Sequence, residues 1–351
     1  MTDFERVINI NRFMLRTVGL WPPDNRSSRE VMKSKIRLLH TFSMVFFVLT
    51  IPALISLIRV WGDIILMIEN MQYSLPLLGA ISKICILSQK QADLLPLIEM
   101  IENDWVKPKM KEEQDVMLRR ARIIRVITIC GFFTGILTII ITFGFPCFGL
   151  MLRQVTNLTD SGKPLLIPSY YFHDVSKSPQ FELTLLAQGI SMIACGCSHI
   201  GVDHLLGLLV LHVCGQLENL HLRLSRLEKY SDFNAALEYN VQDHVRLIRS
   251  IEIIDHTFNL LLLILVLYFG ILFCVQAFLI VQSEKIHQAT YEYSWYNKHP
   301  KVVKGLMLIM LRANKPLHIT AGKTFPMTMS TFCNLLKTSA GYVSVLLTTQ
   351  G

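Results

Sequence analysis

Six long apolar runs are the feature that most constrains how this chain can fold. Each reaches the roughly 20 residues that an α-helix needs to cross a bilayer. Helices are expected because an open strand edge cannot satisfy its backbone hydrogen bonds in lipid. The sequence therefore predicts an all-α polytopic membrane protein with six apparent transmembrane spans, the first four of them within residues 38–213. The runs cover residues 38–57, 64–87, 127–152, 181–213, 260–281 and 306–347, the last of them interrupted.

Basic residues indicate how these spans are oriented. Eight Lys or Arg residues lie in residues 1–37 and eight more in residues 89–125, whereas residues 153–180 hold only three. Because short cytoplasmic segments are enriched in Lys and Arg, the N-terminus is predicted to be cytoplasmic and the loop 153–180 extracellular. A glycosylation sequon at Asn157 agrees, since it is usable only on that side. The loops account for the net charge of +8, so we infer no nucleic-acid partner.

The segment after the fourth run is polar, but its apolar residues recur at helical spacing. Leu220, Leu224 and Leu227 form one such series, and a second series begins at Val245. This pattern predicts a cytoplasmic helical hairpin over residues 214–257. The hairpin would pack either on its own chain or on another subunit, and the sequence favours neither.

Polar residues inside the spans mark positions that should face protein or water. The candidates are Asp203, with His199 one turn before it, and Glu69, with Asn70 beside it. Such residues either contact a ligand or form hydrogen bonds between helices, and the sequence leaves both alternatives open.

No pattern in the sequence indicates an enzyme or a metal-dependent protein. We find no catalytic constellation, phosphate-binding loop or nucleophile elbow. Most of the eight cysteines lie in or beside apolar runs, where they are expected to be small buried hydrophobic residues. Cys195 and Cys197 lack the two-residue gap of a zinc knuckle. We therefore expect neither a cofactor nor a metal site.

The last apolar run carries a stripe of hydroxyl groups. Threonines recur in and just before FPMTMSTFCNLLKTSAGYVSVL at spacings of four, three and seven residues, which places them on one side of a helix. They are Thr324, Thr328, Thr331 and Thr338. Such a stripe is unsuited to lipid. It would face water or neighbouring helices, and its hydroxyls can also bond to carbonyls of their own helix.

Four segments of the chain together resemble the insect odorant receptors, of the kind abundant in ants, bees and wasps. They are NRFMLRTVGLWP at 11–22, LLIPSYYFHDVSKSP at 165–179, YEYSWY at 291–296 and LRANKPLHITAGKTFPMTMSTFCNLLKTSAGYVSVL at 311–346. The resemblance implies a helical subunit with its N-terminus in the cytosol, in the lipid of the plasma membrane of olfactory sensory neurons. It would bind a small hydrophobic odorant and form an odorant-gated, non-selective cation channel as a heterotetramer with a shared co-receptor. No G protein would be required.

The same resemblance implies roles for individual residues. The last helix, residues 319–351, would line the central pore, and residues 283–318 would belong to the cytoplasmic anchor where subunits meet. The gate would fall on Met327 and Thr331, where the co-receptor has aliphatic residues. The full pore-lining set would be Thr324, Met327, Thr328, Thr331 and Thr338. Ligands would bind in the outer half of the bundle, in contact with Tyr73, Phe133, Gln188 and Met192.

One departure from the family lies in the fifth run. Family members are normally longer and cross the membrane seven times, whereas residues 258–282 form one fused span where the fifth and sixth spans and their outer loop belong. A shortened, non-functional receptor isoform is therefore one alternative, and an insect gustatory receptor is another. A G-protein-coupled receptor would need its N-terminus outside, and a secondary transporter would show an internal repeat, which we do not find.

Overall fold

The computed structural model of the chain is helical in nearly all the residues that it describes. These are residues 3–23, 27–147, 158–159 and 163–293, with isolated residues between 303 and 338. The chain divides into two compact units, Met1–Ile264 and Leu265–Gly351. The helices are α1 (Asp3–Thr17), α2 (Ser28–Ser43), a π-helical stretch (Met44–Thr50), α3 (Ile51–Arg59), α4 (Ile64–Gln89), α5 (Gln91–Val106), α6 (Lys111–Cys147), α7 (Gln180–Leu224), a 3₁₀ turn (Leu227–Lys229) and α8 (Phe233–Glu292).

Five helical segments among the described residues are long and apolar enough to cross a membrane. Each of them overlaps one of the first five apolar runs, so the predicted all-α membrane fold is confirmed. The sixth run lies mostly outside the described residues. The five segments are Ser28–Arg59, Ile64–Gln89, Lys111–Gly144, Gln180–Leu224 and Phe233–Ile271.

The start of the predicted last helix differs in the structure. Thr320–Ala321 and Phe325–Pro326 form two short antiparallel strands, β1 and β2, within the range 319–351 that we predicted as helix. The sequence explains the difference, because Gly322 has low helix propensity and Pro326 has no backbone N–H to donate. Helical backbone is described further on, at residues 333, 334, 337 and 338.

A tight turn at Gly19 explains the glycine in the motif at residues 11–22. Gly19 follows α1 with a φ of 80°, a conformation that favours glycine, and a Cβ there would lie 2.5 Å from the backbone nitrogen of Leu38. The carbonyl of Gly19 accepts hydrogen bonds from Ser34 at 3.4 Å and from Gln91 at 2.8 Å. This turn therefore ties α1 to α2 and α5.

A proline accompanies the irregular turn in the first span. Pro52, in the first turn of α3, cannot donate a backbone hydrogen bond to the preceding turn. The backbone before it widens into the π-helical stretch Met44–Thr50. There the hydroxyl of Thr50 donates to the carbonyl of Val45 at 2.9 Å, so a side chain helps to hold the widened turn.

The central helix of the main core is α7. Its 45 residues form one helix of about 68 Å, which exceeds the roughly 30 Å hydrocarbon thickness of a bilayer. Val202, Leu205 and Leu209 of α7 pack in one cluster with Leu15 of α1 and Ile84 of α4. These contacts fix α1 and α4 on the helix that contributes the largest share of the candidate site.

The last long helix, α8, covers the segment that we predicted as a fused span. It runs from Phe233 to Glu292 and so passes through residues 258–282 without a break. The predicted hairpin, residues 214–257, contains the end of α7, a turn and the start of α8. Across it, Nε of Arg223 donates to Oδ1 of Asn240 at 3.0 Å, which supports packing within the chain.

Candidate functional site

An apolar cavity of about 360 Å³ lies between α4, α6 and α7. Met14 of α1 and Ile167 of the loop between α6 and α7 also contribute to its wall. Aliphatic, aromatic and sulfur-containing side chains dominate the lining, and the volume lies at the lower end of the range for small-molecule pockets. The cavity therefore suits a small hydrophobic ligand. Its lining includes Tyr73, Leu77, Phe132, Ile136, Met192 and Ile200.

Two glycines let α6 approach α7 closely beside this cavity. A Cβ at Gly131 would lie 2.4 Å from the imidazole of His204, and a Cβ at Gly135 would lie 2.8 Å from Cδ1 of Ile200. Real Cβ atoms do not make contacts this short, so a larger residue would displace its neighbour. Because the two glycines are one turn apart, they lie on one face of α6. They set how closely α6 can approach α7 beside the cavity.

The structure places two of the four predicted ligand contacts, Tyr73 and Met192, in the cavity lining. Phe133 does not line the cavity, and 66% of its surface is exposed. Its neighbour Phe132 lines the cavity instead. Successive residues of a helix point about 100° apart, and α6 is apolar all round at this point, so the sequence pattern did not distinguish the two.

The fourth predicted contact, Gln188, holds the loop between α6 and α7 and does not line the cavity. Its Oε1 accepts the N–H of Leu166 at 3.1 Å, and its Nε2 donates to Ser169 Oγ at 2.9 Å and to Tyr171 Oη at 3.0 Å. The hydroxyl of Tyr171 in turn donates to the carbonyl of Val48 at 2.6 Å. Burial raises the pKa of Tyr171, although its hydrogen bonds to Gln188 and Ser169 act in the opposite direction. Because the polar atoms of the Gln188 side chain are paired with residues of the loop, Gln188 anchors the loop and is not free to bind a ligand.

The polar residues of the spans take different roles. Lys83 of α4 donates to both carboxylate oxygens of Asp203 on α7, at 2.6 and 2.7 Å, and approaches the backbone carbonyl of His199 at 3.5 Å. The Lys83 side chain is only 6% exposed. Asn70 forms a bond between helices, because the hydroxyl of Ser56 donates to its Oδ1 at 2.8 Å. Charged and amide groups thus join the helices around the cavity.

A second buried charged cluster joins α5, α7 and α8. The carboxylate of Asp104 lies 3.0 Å from Nε2 of His212 and 2.6 Å from Nη1 of Arg246. Asp243 is 2.7 Å from Arg246 and also binds Arg223. Burial alone would raise the pKa of Asp104, but hydrogen bonds from His212 and Arg246 outweigh it and lower this pKa. A polar cavity of about 410 Å³ is lined by several of these residues. Within the described residues no three His, Cys, Asp or Glu side chains group as a metal site would.

Most of the predicted pore residues, and the sequon asparagine, lie outside the described residues. These are Asn157, Thr324, Met327, Thr328 and Thr331. Thr338 is described as helical and exposed, and its hydroxyl donates to the carbonyl of Asn334 at 2.7 Å. A hydroxyl bonded in this way still offers lone pairs to water, so Thr338 fits both interpretations of the threonine stripe.

Sequence reasoning missed Lys83, although the sequence carried a signal for it. Lys83 is the only basic residue in the apolar run 64–87, and a buried charge in a membrane span needs an opposite partner. Asp203 is the acidic residue in the fourth run that could supply it. No comparable signal singled out Asp104 or Arg246, because each lies in a polar segment with many other charges.

Comparisons with known proteins agree with this helical architecture. A family model described as 7tm Odorant receptor matches residues 63–282 and 279–340. Odorant receptor 10 of Aedes albopictus is 25% identical over 213 residues, which cover 49% of this chain and 57% of that protein. Odorant receptor Or2 of Anopheles gambiae is 22% identical over 218 residues, covering 49% and 58%. The chain therefore matches less than two thirds of the length of these relatives.

The fold is similar to that of the insect olfactory receptor OR5 from Machilis hrabei. One structure of that receptor matches with a TM-score of 0.66 at 16% identity, and its structure in complex with eugenol matches with 0.62 at 15%. Both comparisons cover 97% of each chain. Because the family model matches most of the chain between residues 63 and 340, the chain belongs to the 7tm odorant receptor family, that of the insect odorant receptors.

Proposed function

We propose that this protein is the odorant-binding subunit of an odorant-gated, non-selective cation channel. It forms the channel with a shared co-receptor subunit in the plasma membrane of olfactory sensory neurons. The apolar cavity between α4, α6 and α7 carries the proposal, because its lining can remove a small hydrophobic molecule from water. The complex of the OR5 receptor with eugenol supports ligand binding by this fold.

The cavity suits selection by size and shape. One methylene group in an apolar pocket changes the binding free energy by about 1–3 kcal/mol, so neighbouring members of a homologous series are separated only modestly. We therefore expect several volatile or cuticular compounds of similar size to activate the receptor with graded potency.

The experiment is to express the chain with the co-receptor and record odorant-evoked current in excised patches without GTP. Cells that express only the co-receptor are the control. A cation current that needs both subunits and persists without GTP is expected. Activation that requires a G protein, or currents identical to those of the co-receptor alone, would contradict the proposal.

A second candidate is a shortened receptor that binds odorant and gates poorly. The family model matches this chain in two pieces that meet at residues 279–282, at the end of the predicted fused span. This break supports the absence of family sequence between the fifth and sixth spans. A receptor of this kind would reach the surface, or bind odorant in purified form, with little current.

A further inference from the structure

The apolar cavity has one basic side chain in its described lining, that of His199. The side chain is 37% exposed, and its ring makes no hydrogen bond within the part of the chain that the structure describes. Its Nε2 lies 4.0 Å from Oδ2 of Asp203, which is beyond hydrogen-bond distance. The imidazole is therefore a polar group that faces an apolar space with its hydrogen-bonding capacity unused.

The surroundings of His199 hold the ring in place and leave its nitrogens free. The carboxylate of Asp203 is already bound at both oxygens by Lys83. One turn earlier on α4, Gly79 faces the ring, since a Cβ at Gly79 would lie 3.8 Å from Cε1 of His199. The contact between Gly79 and His199 thus lies one helical turn from the ion pair between Lys83 and Asp203. The charge pair fixes the register of α4 against α7, and the glycine leaves room for the ring.

Other polar side chains of the described lining are the alternatives to His199 as ligand contacts. The hydroxyl of Thr138 already donates to the carbonyl of Thr134 at 2.9 Å. Tyr73 already has an interaction of its own. Gln72 has an exposed side chain on α4 and is the main competing candidate. Any assignment to His199 must therefore be separated from Gln72 and Tyr73 by experiment.

We propose that His199 sets the chemical class of the ligand by forming a hydrogen bond with the hydroxyl group of an otherwise hydrocarbon odorant. This inference rests on the proposed function. In this bond the unprotonated ring nitrogen of the neutral imidazole accepts the proton of the hydroxyl group. An ether has no such proton to donate, and an alkane neither donates nor accepts. A carboxylate would lose its hydration beside the carboxylate of Asp203 and is disfavoured.

The test compares straight-chain primary alcohols with methyl ethers of the same number of heavy atoms. Binding is measured as the ligand-induced rise in the unfolding temperature of the purified receptor, which does not depend on gating. Wild type should prefer the alcohol by about threefold to tenfold, the factor that one net hydrogen bond supplies. His199→Leu should lose this preference and still bind the ether, which shows that the variant is folded. His199→Gln, which retains a donor and an acceptor, should keep it.

The controls separate this inference from the proposed function. The variants Gln72→Leu and Tyr73→Phe should keep the preference for the alcohol. If either of them lost this preference while His199→Leu kept it, the assignment to His199 would be overturned. If His199→Leu weakened alcohol binding and ether binding equally, His199 would contribute only its shape to the cavity. That result would also overturn the assignment. Binding of neither class to wild type would reject the inference and the cavity-based function together. The expected binding pattern without odorant-evoked current would count against the channel function alone.

Discussion

The ammonium nitrogen of Lys83 lies 2.6 Å from Oδ1 of Asp203, which joins α4 to α7 within two candidate membrane spans. The two partners are not equivalent. The Lys83 side chain is 6% exposed, whereas that of Asp203 is 47% exposed. An unpaired charge in an apolar surrounding is costly, so the buried partner depends more on the pair than the exposed one does.

We expect Asp203→Asn to destabilise the receptor more than Lys83→Met does. Asn at 203 leaves the buried ammonium without a counter-charge, and the loss should be about 2–4 kcal/mol, between the values for exposed and fully buried pairs. The double variant Lys83→Met with Asp203→Leu should be more stable than Asp203→Asn alone. Thermal unfolding of the purified receptor measures all three.

The exposed pair of Lys33 and Glu30 provides a matched control. Its atoms are 2.9 Å apart, but both side chains lie at the surface, at 50% and 37% exposure. Lys33→Met should leave the unfolding temperature almost unchanged, because water screens an exposed pair. Equal losses in Lys83→Met, Asp203→Asn and Lys33→Met would show that burial of the charge does not govern the effect.

A second prediction concerns Asp104, whose side chain is 2% exposed and binds His212 and Arg246. Asp104→Asn should cost about 2–3 kcal/mol, because His212 and Arg246 lose a charged hydrogen-bond acceptor, although Arg246 keeps its contact with Asp243. The folded-state pKa of Asp104 is lowered below 3.8, so its carboxylate stabilises the protein above that pH and loses its effect as the pH falls through the lower folded value.

The difference in unfolding temperature between wild type and Asp104→Asn should therefore be constant near neutral pH and shrink below about pH 4. Asp115→Asn is the control, because Asp115 is exposed on the neighbouring helix α6. A difference that grows on acidification would contradict the sign of the lowered pKa.

The third prediction uses two neighbouring phenylalanines as a matched pair. Phe132 lines the cavity and Phe133 is 66% exposed, so Phe132→Ala should shift odorant potency while Phe133→Ala should not. Tyr73→Ala and Met192→Ala should also shift potency, because both side chains line the cavity. Dose–response curves at equal surface expression are the measurement. A larger effect from Phe133 than from Phe132 would place the binding site on the other side of α6.

The sequence predicted which segments are helical membrane spans, because length and hydropathy are local properties. It named Tyr73 and Met192, which line the cavity, but could not separate Phe132 from Phe133, since α6 is apolar around its whole circumference. The partner of Lys83 lies 120 positions away, so the sequence offers Asp203 only as a candidate, and the packed structure shows that the two side chains are paired. Gln188 is predicted as a ligand contact, but its partners belong to a loop whose path the sequence does not specify.

The fourth prediction concerns the threonine stripe of the last run. If Thr331 and Thr338 face the pore, replacing either with Leu should alter unit conductance or cation permeability ratios, because a bulky apolar side chain removes a polar contact with permeating ions. The order of odorant potencies should stay the same, since the cavity is not touched. Unchanged conductance and permeability in both variants would assign the hydroxyl of Thr338 to its bond with the Asn334 carbonyl alone.

The last prediction concerns the fused span. If the N-terminus is inside and the chain crosses the membrane six times, the C-terminus is also inside. The basic segment 283–318, between the last two crossings, would then lie outside. This placement contradicts the enrichment of basic residues in cytoplasmic segments. Its lysines include Lys285, Lys298, Lys301 and Lys304. If these lysines stay inside instead, α8 cannot complete its crossing. Both arrangements disturb the last run or leave the family's sixth span incomplete.

If the second candidate, the shortened receptor, is right, the chain should give little or no odorant-evoked current when it is expressed with the co-receptor, whereas the channel proposal expects a clear current. Epitope tags at the two termini, stained in intact and permeabilised cells, report the topology, and current is recorded from the same cells. The N-terminal tag should be stained only after permeabilisation, which is the internal control. A C-terminal tag stained in intact cells together with normal currents would show that the chain crosses the membrane an odd number of times and gates as a complete receptor. In that case α8 must be divided in the membrane, although it is one helix from Phe233 to Glu292 in the structure.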